Sequence, residues 1–220
     1  RICETTEEKS VTAWALSGLR DVHRAAADLP RAEVRLREAL RLREELGEAG
    51  NAADSRVALG VLALDRGDAA AAMELAKTAI LAFEQADQDD SETSAQLLLA
   101  RAHLATGDVV GARAALERAT KLSEPGEIRA HRLAIEIVAA RLAAANGNSA
   151  KALHGLASAT TETAQLGLVI WNAEARLAAG EIALAAGDHS ARARLEALAK
   201  ECDNQGLKLL AGKARAAAIK

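Results

Sequence analysis

Two arginines stand in an evenly spaced column that runs the length of the chain: Asp21, Val61, Arg101, Arg141, Glu181. A guanidinium presents a planar fork of N–H donors that grips a carboxylate through two parallel bonds. Two forks at consecutive positions therefore fit an acidic peptide or a chain's C-terminal carboxylate. Apolar residues flank the column: Leu97 and Leu104, Ile137 and Ala144, Leu177 and Leu184. The candidate binding residues are thus Arg101, Arg141, Asp21, Val61, Glu181, Leu97 and Ile137. In the competing reading, Arg101 and Arg141 pair with Glu181, Glu136 or other neighbours as structural charges.

Other chemistry is thinly encoded. His23, His103, His131, His154 and His189 form no HExxH motif and no local Cys/His cluster, so no zinc site is expected. The stretch from Gly206 to Lys213 lacks the spacing of a phosphate loop, and Ala214 stands where Ser or Thr would be needed. Asp87-Gln88-Asp89-Asp90-Ser91-Glu92 is acidic but has no calcium-loop glycine, and reads as a solvated loop with Asp90 or Ser91 capping the next helix. No nucleophile elbow or dinucleotide fingerprint occurs. The expectation is a non-catalytic chain with no cofactor and no metal.

The elements that would hold the arginine column are written in further columns at the same interval. Gly67, Gly107, Gly147 and Gly187 are followed by Asp68, Asp108, Asn148 and Asp188. Glycine suits the left-handed conformation just past a helix C-terminus, and Asp or Asn suits the N-cap of the next helix. Ala39, Ala79, Ala119, Ala159 and Ala199 form another column, and Gly60, Ala100, Ala140 and Gly180 a fourth. Small residues at one recurring position let helix axes approach to about 8 Å. Each interval thus reads as an antiparallel helical hairpin.

The spacing predicts hairpins over 9–48, 51–88, 91–126, 127–167 and 168–206, with a capping helix over 207–220. Predicted helices cover 9–27, 30–46, 52–66, a span from the Asp68 cap through Phe83, 92–106, 109–122, 127–145, 149–166, 169–186, 190–204 and 207–219. Composition agrees. Half of the 220 residues are apolar, Ala and Leu dominate, and only Pro30 and Pro125 interrupt. A net charge of −3 and aromatic content of 1% speak against nucleic acid or an anionic membrane as partner. Cys3 and Cys202 would lie near opposite ends of an extended stack, which with no signal-peptide pattern points to the cytoplasm.

These residues resemble the tetratricopeptide repeat. Leu59-Gly60, Ala72 and Ala79 fall at that family's spacings, as do Leu99-Ala100, Ala112, Leu116 and Ala119, and Ala139-Ala140, Ala152, Leu156 and Ala159. The interval is longer than the family's usual one, as in its extended variants, and the family's Trp position holds Leu16, Arg56, Gln96, Glu136 and Arg176. The resemblance implies an all-α, right-handed superhelical solenoid of five hairpins plus a cap, binding a protein or peptide in its concave groove. The chain is similar to arrays at the C-termini of bacterial multidomain signalling proteins, which implies a scaffold or regulatory region and a fragment of something longer. A small-effector sensor controlling an upstream kinase, cyclase or DNA-binding domain is the alternative. Self-association is expected through an N-terminal apolar face of Trp14, Leu19 and Val22.

Overall fold

A computed structural model describes residues 6–123 and 128–219, except the side chains of residues 6, 7, 17 and 19–24. The elements are α1 (Thr6–Ala25), α2 (Leu29–Glu45), α3 (Ala49–Asp65), α4 (Ala69–Gln85), α5 (Asp89–Ala105), α6 (Val109–Ser123), α7 (Arg129–Ala145), α8 (Ser149–Gln165), α9 (Val169–Ala185), α10 (Ala191–Asn204) and α11 (Lys208–Ile219). No strand occurs among the described residues.

One turn joins almost every pair. Gly47, Gly67, Asp87, Gly107, Gly147, Gly167, Gly187 and Gly206 all have positive φ, from 50° to 92°. The residue after each sends its N–H back across the turn: Glu48 to the Arg43 carbonyl at 2.9 Å, Asp68 to Ala63 at 2.9 Å, Leu168 to Thr163 at 2.9 Å, Leu207 to Cys202 at 2.8 Å. This is the Schellman closure, which satisfies carbonyls that the helix end leaves open. Except at α10, which starts at Ala191 behind Ser190, the same residue then begins the next helix. Turns into α4, α6 and α8 add a side-chain cap: Asp68 accepts from the Ala71 N–H at 3.0 Å, Asp108 from Gly111 at 2.9 Å and Asn148 from Lys151 at 3.1 Å.

The structural period is therefore half of the interval that the side-chain columns display. One expectation is corrected here. Helix α5 begins at Asp89 with Gln88 at its cap position, not behind Asp90 or Ser91. The closure at the end of α4 fixes that start, and Asp89, Asp90 and Glu92 fall in the first turn, where carboxylates favour the helix dipole.

The packing divides the chain into two compact units, α2–α6 with most of α1, and α7–α11. In the first, α2 packs on α3, α3 on α4, α4 on α5 and α5 on α6; in the second, α7 packs on α8, α8 on α9, α9 on α10 and α10 on α11. Substantial contacts that skip an element join only odd-numbered helices: α3 with α5, α7 with α9, α9 with α11. Each unit thus has an inner layer of odd helices and an outer layer of even ones. Helix α11 takes an inner-layer place. Its Leu210, Ala211 and Ala214 pack with Ala173 and Leu177 of α9 and Leu195 and Leu198 of α10.

The small-residue column sits at the crossings. A Cβ on Gly60 would lie 2.4 Å from Leu98 Cδ2, and one on Gly180 would lie 2.5 Å from Leu195 Cδ2 and 2.7 Å from its Cγ. Both leucines are buried, so neither yields freely. The Gly180→Val variant should lose about 1–3 kcal/mol in thermal or urea unfolding. Gly155→Ala, on an open helix face with nothing within 4 Å, should instead gain up to about 1 kcal/mol.

Candidate functional site

The inner layer carries the arginine column. Val61, Arg101, Arg141 and Glu181 are all half-buried, on α3, α5, α7 and α9 respectively. The side chain of Asp21, and those of Leu19, Val22 and His23, lie outside the described residues. Within the second unit, Arg141 Nη1 lies 2.7 Å from Glu181 Oε2, and each side chain is about a third exposed (35% and 34%). The contact is an ion pair, although its angles leave Oε2 without a hydrogen bond. The Arg141 fork thus has a carboxylate beside it already, as the competing reading anticipated.

The apolar flanks are placed differently from expectation. Leu97 and Ile137 are buried, at 6% and 8% exposure, and Ile137 packs with Leu133, Leu156 and Ile182 in the core of the second unit. They hold the inner layer together and do not wall a groove. Four residues along a helix rotate the side chain by about 40°. Seven residues bring it back to within about 20°. The open neighbours of the column are accordingly Asp54, Ser94, Ala134 and Glu174, each seven residues earlier and exposed or half-buried. Sequence reasoning missed this second row, although the seven-residue offset would have found it.

Polar residues also bind the layers together. Glu92 on α5 is 2% exposed, and Arg118 of α6 holds it at both oxygens, Nε to Oε1 at 2.8 Å and Nη2 to Oε2 at 2.9 Å. Gln96 donates to Glu92 Oε1 at 3.2 Å. One interval further on, Arg132 donates to Glu136 at 2.8 Å and reaches Glu162 of α8. Arg176 reaches Glu201 of α10 at 2.8 Å. Gln96, Glu136 and Arg176, one interval apart, thus join polar bridges between helices. Arg43 plays the same part between α2 and α3, donating to Ser55 Oγ at 2.6 Å and to the Asn51 carbonyl at 3.0 Å.

Other titratable groups serve the turns. His103 Nδ1 lies 2.8 Å from Asp108 Oδ2, outside hydrogen-bond alignment. The Gly111 N–H is the chief cause holding the Asp108 carboxyl below its ordinary value, and His103 adds to it. Asp188 is held down to about 2 by the Ser190 hydroxyl at 2.6 Å and then by Arg194 at 2.7 Å. Burial raises the Cys202 thiol, which is free. No group of three or more His, Cys, Asp or Glu that could hold a metal occurs among the described residues. No described helix is long and apolar enough to cross a membrane. A shallow depression of about 520 Å³ follows the outer face of α8, past His154, Ser158, Thr161 and Gln165, and touches none of the column.

Neither protein-family profiles nor curated proteins match the chain.

Two outcomes follow from these charges. Arg118→Ala leaves the Glu92 carboxylate buried without its cation and should cost about 2–4 kcal/mol in urea unfolding. Adding Glu92→Leu should recover most of that loss. Asp188 has a folded pKa of about 2, below its ordinary 3.8. Its contribution is therefore complete above about pH 4 and lost as pH falls towards 2. Asp188→Asn should flatten that part of the acid-unfolding curve.

Proposed function

We propose that the chain is a non-catalytic protein- or peptide-binding scaffold that recognises its partner along the inner layer of odd-numbered helices. The observation that carries this reading is the double row of half-buried or exposed side chains on that layer in each unit: Asp54 and Val61, Ser94 and Arg101 in the first, Ala134 and Arg141, Glu174 and Glu181 in the second. Two rows of solvent-accessible side chains on stiff helices offer recognition points at regular intervals. That arrangement suits an extended segment more than a small molecule. The tetratricopeptide-like columns imply a right-handed solenoid of five hairpins and a cap, and the odd-helix contacts within each unit and the inner-layer place of α11 support its layering. A regulatory array of a bacterial multidomain signalling protein, in the cytoplasm, fits that form.

The partner's chemistry follows from the rows. Arg101 and Arg141 select a carboxylate, while Asp54, Glu174 and Glu181 oppose a uniformly acidic segment. The best fit is an extended peptide bearing one or two acidic groups or a free C-terminus. For Arg141 to bind it, the guanidinium must exchange Glu181 for the ligand.

Titration of such a peptide should show the Arg101→Ala/Arg141→Ala double variant weakened about tenfold or more, as expected for lost charge-assisted bonds. Glu181→Gln should strengthen binding by freeing Arg141. Affinity unchanged in both variants would remove the inner rows from the account.

A further inference from the structure

The chain has five asparagines, and only Asn146 precedes a glycine. The residues after Asn51, Asn148, Asn172 and Asn204 all carry a Cβ, which shields the main-chain nitrogen beside each amide. Gly147 carries none, and both residues of the pair are exposed. Asn51, Asn172 and Asn204 also lie within α3, α9 and α10, while the Asn148 side chain is engaged as the cap of α8. The equivalent turns hold Arg66, Thr106 and Ala186 ahead of their glycines. Asn146 thus stands apart as a side-chain amide next to an unshielded main-chain nitrogen.

That pairing is chemically labile. Rotation about the Cα–Cβ and Cα–C bonds of Asn146 brings the Gly147 nitrogen against Asn146 Cγ. The nitrogen gives its proton to solvent base and bonds to Cγ. The bond from Cγ to Nδ2 then breaks, and ammonia leaves with a proton taken up from solvent. Water opens the resulting cyclic imide at either carbonyl. One opening gives aspartate. The other gives isoaspartate, whose main chain carries an additional methylene.

The closed turn opposes the first step. The Gly147 N–H donates to the Ala144 carbonyl at 2.9 Å, and Asn146 Nδ2 donates to the Leu142 carbonyl at 2.8 Å. Nucleophile and leaving group are therefore both tied to the end of α7. The Asn148 N–H closes the turn behind them on the Ala143 carbonyl at 2.9 Å. Either product then resists reclosure. A carboxylate at position 146 would face the Leu142 carbonyl oxygen at the negative end of the helix dipole. An added methylene would carry the Gly147 and Asn148 N–H groups away from their carbonyls.

We propose that Asn146 is a modification site, converted to aspartate and isoaspartate by solvent base and water when the α7–α8 turn opens, and that conversion makes the opening permanent. The inference stands apart from the inner-layer reading, since neither Asn146 nor Gly147 belongs to the two rows.

The intact chain and a peptide of residues 140–152 can be incubated together in mildly alkaline buffer, then mapped by chromatography and mass spectrometry. In the folded chain Asn146 should convert ahead of every other asparagine, about tenfold to a thousandfold more slowly than in the peptide. Urea sufficient to unfold the chain should bring the two rates together. Asn148→Ala, which removes the α8 cap, should speed conversion in the folded chain about fivefold. The converted chain should exchange its Gly147 and Asn148 amide protons faster than the unconverted one. Conversion first at another asparagine overturns the proposal, as does a folded-chain rate equal to the peptide's. So does an Asn146 still intact beyond about a thousand peptide half-lives, or a rate that ignores the loss of the cap.

Discussion

A single hydrogen bond, repeated at every described turn between two helices after Leu46, governs the architecture. The residue after the left-handed position returns its N–H to a carbonyl in the last turn of the preceding helix and, except before α10, opens the next helix itself. This reversal leaves only three residues between most helices, with no slack to alter their separation. Helices of nearly constant length then return side chains to register, and the inner and outer layers follow. The small residues at Gly60, Ala100, Ala140 and Gly180 are a consequence. Helices reversed so tightly must pass close, and a larger side chain at Gly60 or Gly180 would meet Leu98 or Leu195.

Within that frame, polarity is distributed by layer. Ala and Leu fill the seams, while charge-assisted bridges such as Glu92–Arg118 and Arg176–Glu201 pin helix pairs. Such bridges fix relative height more than they stabilise, because desolvation offsets much of the attraction. The inner rows mix half-buried or exposed charged and small side chains.

Much of this was legible from residue spacing, and the failures are instructive. Gly67, Gly107, Gly147 and Gly187 marked half of the turns because each is followed by Asp or Asn. The intervening turns carry Gly47, Asp87 and Gly167, with Glu48, Gln88 or Leu168 behind them, so the shared backbone geometry had no shared residue type to announce it. Helix limits fell close to expectation wherever a turn residue was recognised. Leu97 and Ile137 were misplaced because only a small rotation about the helix axis separates wall from core, and hydrophobicity alone does not report it. The Glu92–Arg118 bridge needs the relative height of two helices, which no single-helix pattern contains.

The repeated closure is also the most directly measurable claim. Native-state amide hydrogen exchange resolved by residue should show Glu48, Asp68, Gln88, Asp108, Asn148, Leu168, Asp188 and Leu207 protected like helix-interior amides, although each lies in a turn. Exchange at those positions as fast as in an unstructured chain would mean the turns are not closed, and the layers derived from them would have no basis.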